Sequence, residues 1–243
     1  MAGLLELDDV RMSFGKVVVA DELSLSLAPG ETLGVVGPNG AGKTSMLNLI
    51  TGNLVPSRGR VLLDGADVTR LPVHARARLG IGRTYQVPQP FGGMSVFENV
   101  LVGAMYAGRS RAGADAVAAA VDALRMTDLV GRANVPAGRL TLLDRKRLEL
   151  ARALAIGPRV LLLDEIAGGL TEPEVERLVG TIRDLRGGGM AILWIEHLVS
   201  ALLSVVDRLV ATNLGRILAD GEPRAVMASR EVQSVYLGAE VIV

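Results

Sequence analysis

The chain has 243 residues, 49% hydrophobic, 21% charged and 3% aromatic, with no cysteine, which excludes a disordered segment, disulfides and thiol chemistry and leaves an aliphatic core. Its 26 basic and 26 acidic residues balance, so no net field favours nucleic acid and no nucleic-acid partner is expected. The length suits one domain with subdivisions.

The N-terminus, MAGLLELDDVRMSFGK, carries acids where a signal peptide needs a positive start and an unbroken apolar stretch. No run of about 18 apolar residues occurs, so a place at a membrane is expected to come from docking to partners. The first 36 residues alternate β-rich runs with turns: LLELDDVRM, KVVVA and LSLSLA, then Pro29-Gly30, then TLGVV. This predicts antiparallel sheet feeding one buried strand. The glycine-rich stretch Gly37 to Gly42 precedes a helical pattern over Lys43 to Ile50. Residues 53–70 predict another hairpin, with Pro56-Ser57-Arg58-Gly59 as its turn.

Between residues 89 and 156 the pattern turns helical and alanine-rich, over Asp115 to Met126 and Asp144 to Leu154, and a separate helical lobe is expected there. RVLLLDE then reads as a buried strand, Thr171 with Glu174 as a capping box opening a helix that stops at Gly187-Gly188-Gly189, and MAILWIEH as a second buried strand. The tail predicts a hairpin around Asn213-Leu214-Gly215 and a short helix ending near Gly238.

GPNGAGKT, formed by Gly37, Pro38, Asn39, Gly40, Ala41, Gly42, Lys43 and Thr44, with Ser45 following, has two glycines four residues apart followed by Lys and Thr. Such a loop lets successive backbone N–H groups curl around phosphate oxygens, while Lys43 reaches the terminal phosphates and Thr44 ligates Mg2+. Placed between an apolar strand and a helix, it indicates nucleotide binding. VLLLDE sets Asp164 at the end of a buried strand, where it can hold Mg2+ through water while Glu165 polarises an attacking water. Alone, such a carboxylate pair also fits a solvated strand end. His197 follows AILWIE at the same sheet edge as Asp164, within reach of a γ-phosphate, whereas His74 lies among basic residues of a surface helix and is read as structural.

With these motifs in place, the chain resembles the ATP-binding subunit of ABC transporters over essentially its whole length. GPNGAGKT looks like the Walker A loop, VLLLDE the Walker B strand, Gln86 in GRTYQ the Q-loop glutamine, and His197 in WIEH the switch histidine. GIGRTYQ, VFENVLVGA, LELARALA and the terminal SVYLG are most similar to importers of branched-chain amino acids and related polar solutes. The resemblance implies an α/β P-loop NTPase: a RecA-like core with an N-terminal antiparallel β subdomain over 1–88 and 157–243, and an α-helical subdomain over 89–156. It implies ATP and Mg2+ as cofactors, with Lys43, Gln86, Glu165 and His197 catalytic and Thr44, Gln86 and Asp164 toward the metal. Phe14 sits where an aromatic residue stacks on adenine, and Thr141 serves the partner subunit's ATP.

The implied partners are transmembrane permease subunits, a second ATP-binding subunit, identical or different, and an extracytoplasmic solute-binding protein, with the chain peripheral at the cytoplasmic face of the cell membrane. Phe91, Met94, Val96 and Phe97, just after Gln86, either line a groove for a partner's helix or pack the helical lobe. The signature segment departs from Leu-Ser-Gly-Gly-Gln. Leu140-Thr141-Leu142-Leu143-Asp144 keeps a hydroxyl but replaces the second glycine with Leu143 and sets Asp144 near phosphate. Arg145, Lys146 and Arg147 either offset that charge or form a solvated face. Ile166 stands in place of the usual proline, and Thr171 in place of an acidic or amide residue. Against an energising importer subunit stand two alternatives: a regulatory nucleotide-binding subunit with weak hydrolysis, and a soluble ABC ATPase outside transport.

Overall fold

The computed structural model describes residues 3–106 and 113–237; Gly238, the expected end of the last helix, lies outside them. Strand β1 (Leu5–Phe14) turns at Gly15-Lys16 into β2 (Val17–Leu27), which runs unbroken through the two apolar runs read as separate. The alternation of buried and exposed residues along both matches a sheet with one covered face. β4 (Arg58–Leu63) lies antiparallel to β1, and the short β5 (Ala66–Asp67) completes the order β2-β1-β4-β5.

The hairpin expected over 53–70 turns at Asp64-Gly65 instead of Pro56-Ser57-Arg58-Gly59. Arg58 and Gly59 are already strand, because Ser57 N–H bonds Arg11 O at 2.8 Å and seats the chain against β1 before the Asp-Gly turn.

The second sheet has the order β10-β9-β3-β8-β7-β6. It contains β3 (Thr32–Val36), β6 (Ile81–Arg83), β7 (Val160–Asp164), β8 (Ala191–Ile195) and β9 (Arg208–Asn213), parallel where they pair, closed by the antiparallel β10 (Arg216–Gly221). β3, β7 and β8 are buried at every position, as strands covered on both faces must be. Leu33, Val35, Val160, Leu162, Leu193 and Ile195 pack toward the antiparallel sheet and helix α1 (Lys43–Thr51). Their neighbours Val36, Leu161, Leu163, Ile192 and Trp194 pack on the opposite side, in a core shared with α3 (Val96–Tyr106), α4 (Ala114–Met126), α5 (Leu142–Ala155) and α6 (Glu172–Gly187). Thr171 and Glu174 form the capping box of α6.

Arg76, on α2 (Val73–Arg78), is wholly buried and, among the described residues, pairs with no carboxylate. It donates to Leu49 O and Ile50 O at 2.6 and 2.8 Å, to Leu71 O at 3.0 Å and to Thr69 O at 2.6 Å. The first two are last-turn carbonyls of α1, which have no intrahelical donor, so Arg76 caps the helix that carries the phosphate loop.

Candidate functional site

The phosphate loop leaves β3 at Val36 and enters α1 at Lys43. Gly42, at φ 94°, is a left-handed N-cap without a side chain, and a Cβ there would lie 2.3 Å from Val19 O. Only glycine satisfies both conditions. A Cβ on Gly215, at the β9–β10 turn, would lie 2.9 Å from Ala20 N, and its own N–H bonds Ala41 O at 3.1 Å while its carbonyl accepts from Asp21 N–H at 3.0 Å. The loop is therefore walled by β2 on one side and the tail hairpin on another. The first-turn N–H groups of α1 open toward the cleft without a side-chain cap, which suits an anion.

Lys43 is 6% exposed, and its Nζ donates to Gly37 O and Pro38 O at 2.7 and 2.9 Å. Burial lowers its pKa, opposed by Glu165 and Asp164. A half-desolvated ammonium held by two carbonyls is an ammonium poised for an anionic ligand.

Glu165 follows β7 with φ 47°, the left-handed region that a non-glycine residue occupies at a cost. Its N–H is tied to Ile195 O at 2.9 Å. Both carboxylate oxygens are engaged: His197 Nε2 lies 2.7 Å from Oε1, and Gln86 Nε2 donates to Oε2. Asn39, Gly40, Ala41, Gly42, Lys43, Thr44, Ser45, Gln86, Glu165 and His197 thus share one open cleft of about 610 Å³, within the range of small-molecule sites. Val17 and Val19 supply its apolar wall, whereas Phe14, half exposed at the end of β1, does not line it.

Asp164 sits beneath, 3% exposed, its N–H donating to Thr84 Oγ1 at 3.2 Å. Oδ2 pairs with Arg83 at 2.8 Å, and Oδ1 is buried without a hydrogen-bond partner among the described residues. An orphaned carboxylate oxygen and the exposed Thr44 hydroxyl are hard donors that fit Mg2+. Among the described residues no group of three or more His, Asp and Glu forms a metal cage, in keeping with an ion that keeps waters and takes substrate phosphates as ligands.

The segment 140–147 departs most from expectation. Leu143, in place of the second glycine, is 4% exposed and turned into the protein; Leu142, 43% exposed, is the one that faces out. Thr141 is the N-cap of α5 and its Oγ accepts Asp144 N–H at 3.2 Å. The basic run is no solvated face. Arg145 donates to Gly138 O, and Arg147 lies 3.7 Å from Asp144 and 3.3 Å from Asp128. Lys146 is 3% exposed and bridges Gln86 O at 2.6 Å and Glu165 O at 3.3 Å. Burial lowers its pKa, opposed first by Glu196. Of the four apolar residues that could line a groove or pack the lobe, Val96 is buried, Phe97 packs on the core, Met94 is half-buried and Phe91 is exposed.

Arg83 and Glu196 escaped the sequence reading, and Lys146 entered it only as part of a basic run. Glu196, 3% exposed, accepts Ala167 N–H at 2.6 Å and His197 N–H at 3.1 Å, and burial raises its pKa. The only signal for it was an acid set beside His197 at the end of an apolar strand.

Residues 20–168 match the family model described as ABC transporter. The chain is 34% identical to the lipopolysaccharide export system ATP-binding protein of Acidithiobacillus ferridurans, covering 98% of each chain. It is also 34% identical to the high-affinity branched-chain amino acid transport ATP-binding protein of Pseudomonas aeruginosa, over 97% of this chain and 98% of that one. The crystal structure of the ADP conformation of an ATP-binding cassette of an ABC transporter superposes with a TM-score of 0.90 at 29% identity, covering 98% of this chain and all of that one.

Proposed function

This chain belongs to the ABC transporter ATP-binding family, which hydrolyses ATP to power transport, and we propose that it energises uptake of branched-chain amino acids or a related small polar solute. The observation that carries the catalytic part is the convergence of Lys43, Thr44, Gln86, Glu165 and His197 on one cleft at the carboxyl end of a parallel sheet. Support for import of amino acids comes from the Pseudomonas aeruginosa relative, while the Acidithiobacillus ferridurans relative names export of lipopolysaccharide at the same identity.

In this reading Gly37 to Ser45 cradle the phosphates with backbone N–H groups, and Lys43 moves from its two carbonyls to the terminal phosphate. Thr44 and Asp164, with Gln86 nearby, would hold Mg2+, which would supply charge neutralisation for the phosphoryl group. Glu165 orients and deprotonates water, and His197 leaves the carboxylate to meet the γ-phosphate. Gln86, whose side chain reaches Glu165 and whose carbonyl is held by Lys146, links that base to the helix α5.

A cleft of about 330 Å³ between α2, α3 and α5, bordered by Tyr85, Phe91, Val102 and Arg152, suits a helix of a transmembrane permease subunit. Among the described residues no helix is long and apolar enough to cross a membrane, so a peripheral place at the cytoplasmic face would rest on such docking. Thr141 and the start of α5 would meet ATP on a second ATP-binding subunit, and an extracytoplasmic solute-binding protein would deliver the solute. The domain reading, a core lobe 1–88 and 157–243 with a helical lobe 89–156, is part of this proposal. Reconstitution with the membrane subunits in proteoliposomes tests it: ATP-driven leucine accumulation is expected, and ATP-driven lipopolysaccharide release without uptake would reverse the direction.

A further inference from the structure

Arg83 is an arginine in an unusual place. It ends β6, one residue before the Thr84 that accepts the Asp164 N–H, and its side chain is 5% exposed. Its guanidinium meets a strand, a helix and a loop residue at once. Nη2 donates to Asp164 Oδ2 at 2.8 Å, Nη1 donates to Asn48 Oδ1 on α1 at 2.7 Å, and Cζ stands 5.0 Å from the centre of the Tyr85 ring. Its Nε has no partner. The planar fork thus spans from the strand-end carboxylate to the helix that begins at Lys43.

Two consequences follow from the chemistry. A carboxylate with one oxygen bonded to a fixed guanidinium cannot rotate freely, so the unpartnered Oδ1 is held in one direction. The bond to Asn48 also sets the distance between β7 and α1, which carry Asp164 and Thr44 respectively. Charge alone works the other way, because a guanidinium beside the carboxylate opposes a divalent cation. Orientation and charge therefore predict opposite effects of removing Arg83.

We propose that Arg83 is a positioning residue for metal-assisted nucleotide binding, fixing the Asp164 carboxylate against α1 so that Oδ1 is presented toward the cleft. The proposal rests on the reading of the cleft as a Mg2+–nucleotide site and goes beyond it by assigning a role to an arginine of the GRTYQ stretch that had been given none. Arg83 touches neither the phosphate loop nor Glu165 and acts through Asp164 and Asn48.

The test is equilibrium binding of a fluorescent ADP analogue to the purified full chain, titrated with MgCl2 and repeated in EDTA. For Arg83→Met, the Mg2+ concentration at half-saturation should rise by about tenfold or more, the usual effect of removing a group that orients a metal-binding carboxylate. Affinity in EDTA should stay near wild type. Arg83→Lys keeps charge but cannot bridge Asp164 and Asn48 together, and should fall between. If Arg83→Met fails to fold, Asn48→Ala provides the second arm and should raise the midpoint by a smaller factor. An unchanged or lowered midpoint in folded variants overturns the proposal, leaving Arg83 as a structural ion pair. A wild-type chain that binds the analogue with no dependence on Mg2+ overturns the reading of the site itself, and the proposal with it.

Discussion

His197 Nε2 stands 2.7 Å from Oε1 of Glu165, joining the residue that follows β7 to the residue two beyond the end of β8. These strands are parallel neighbours with Asp164 level with Ile195, so the pairing of sheet register alone brings the two side chains together. With Gln86 on the other oxygen, the base begins fully hydrogen-bonded.

Replacing Glu165 with Gln should remove the proton acceptor and leave the cleft's shape. Hydrolysis by the reconstituted transporter is expected to fall about 10²- to 10⁴-fold, the usual contribution of a general base, with ATP binding retained. Phosphate release measured beside filter-bound ATP separates the two effects; undiminished release would assign the proton transfer elsewhere.

Leu143→Gly and Asp144→Gln, which restore two of the usual signature residues and leave Leu142 in place of the first glycine, are expected to act on different properties. Leu143 is buried, so its removal leaves a cavity and should cost about 2–5 kcal/mol in urea unfolding. Asp144 is only 14% exposed and lies 3.7 Å from Arg147 and 3.9 Å from Arg132. Asp144→Gln alone should therefore fold and raise turnover of the assembled complex by removing negative charge near the partner's phosphate. Turnover at or below wild type would show that the arginines already neutralise it.

Removing Arg76 should be costly without touching the cleft. Arg76→Met leaves four carbonyls short of a donor, two of them at the end of α1, and each buried unpaired acceptor costs about 1–3 kcal/mol. Because these costs are not additive, a total of at least about 3 kcal/mol is expected. The check is a lower urea midpoint at unchanged slope.

Burial holds the Glu196 carboxyl above its ordinary pKa, against the N–H groups of Ala167, His197 and Leu198 that favour its ionised form. A raised folded-state value means that its contribution to stability is complete below the ordinary glutamate range and is lost as pH rises through the raised value. Thermal unfolding of wild type and Glu196→Gln from pH 4 to 8 should show wild type losing ground to the variant as pH increases. A gap that widens in favour of wild type would reverse the sign.

What the sequence made legible was local. The glycine loop, the two apolar strands and the Thr171–Glu174 cap are decided within a few residues of themselves, and all appear where their patterns lie. The partners of Arg83 are 35 and 81 residues away and those of Lys146 19 and 60, and no local pattern specifies them. The turn placed at Pro56 to Gly59 failed because pairing with β1 outweighed favourable turn chemistry. At the start of α5, helical phase decides that Leu143 and not Leu142 meets the core.

The interlock of Gly42 with Val19 and of Gly215 with Ala20 and Ala41 has a consequence for synthesis. The motif Gly37 to Thr44 leaves the ribosome early, but one of its walls is built by the turn between β9 and β10, some of the last sheet to emerge. A nascent chain halted before residue 208 carries the whole phosphate-binding sequence and lacks the brace that shapes it. The phosphate loop is therefore expected to take its shape only once β9 and β10 are in place.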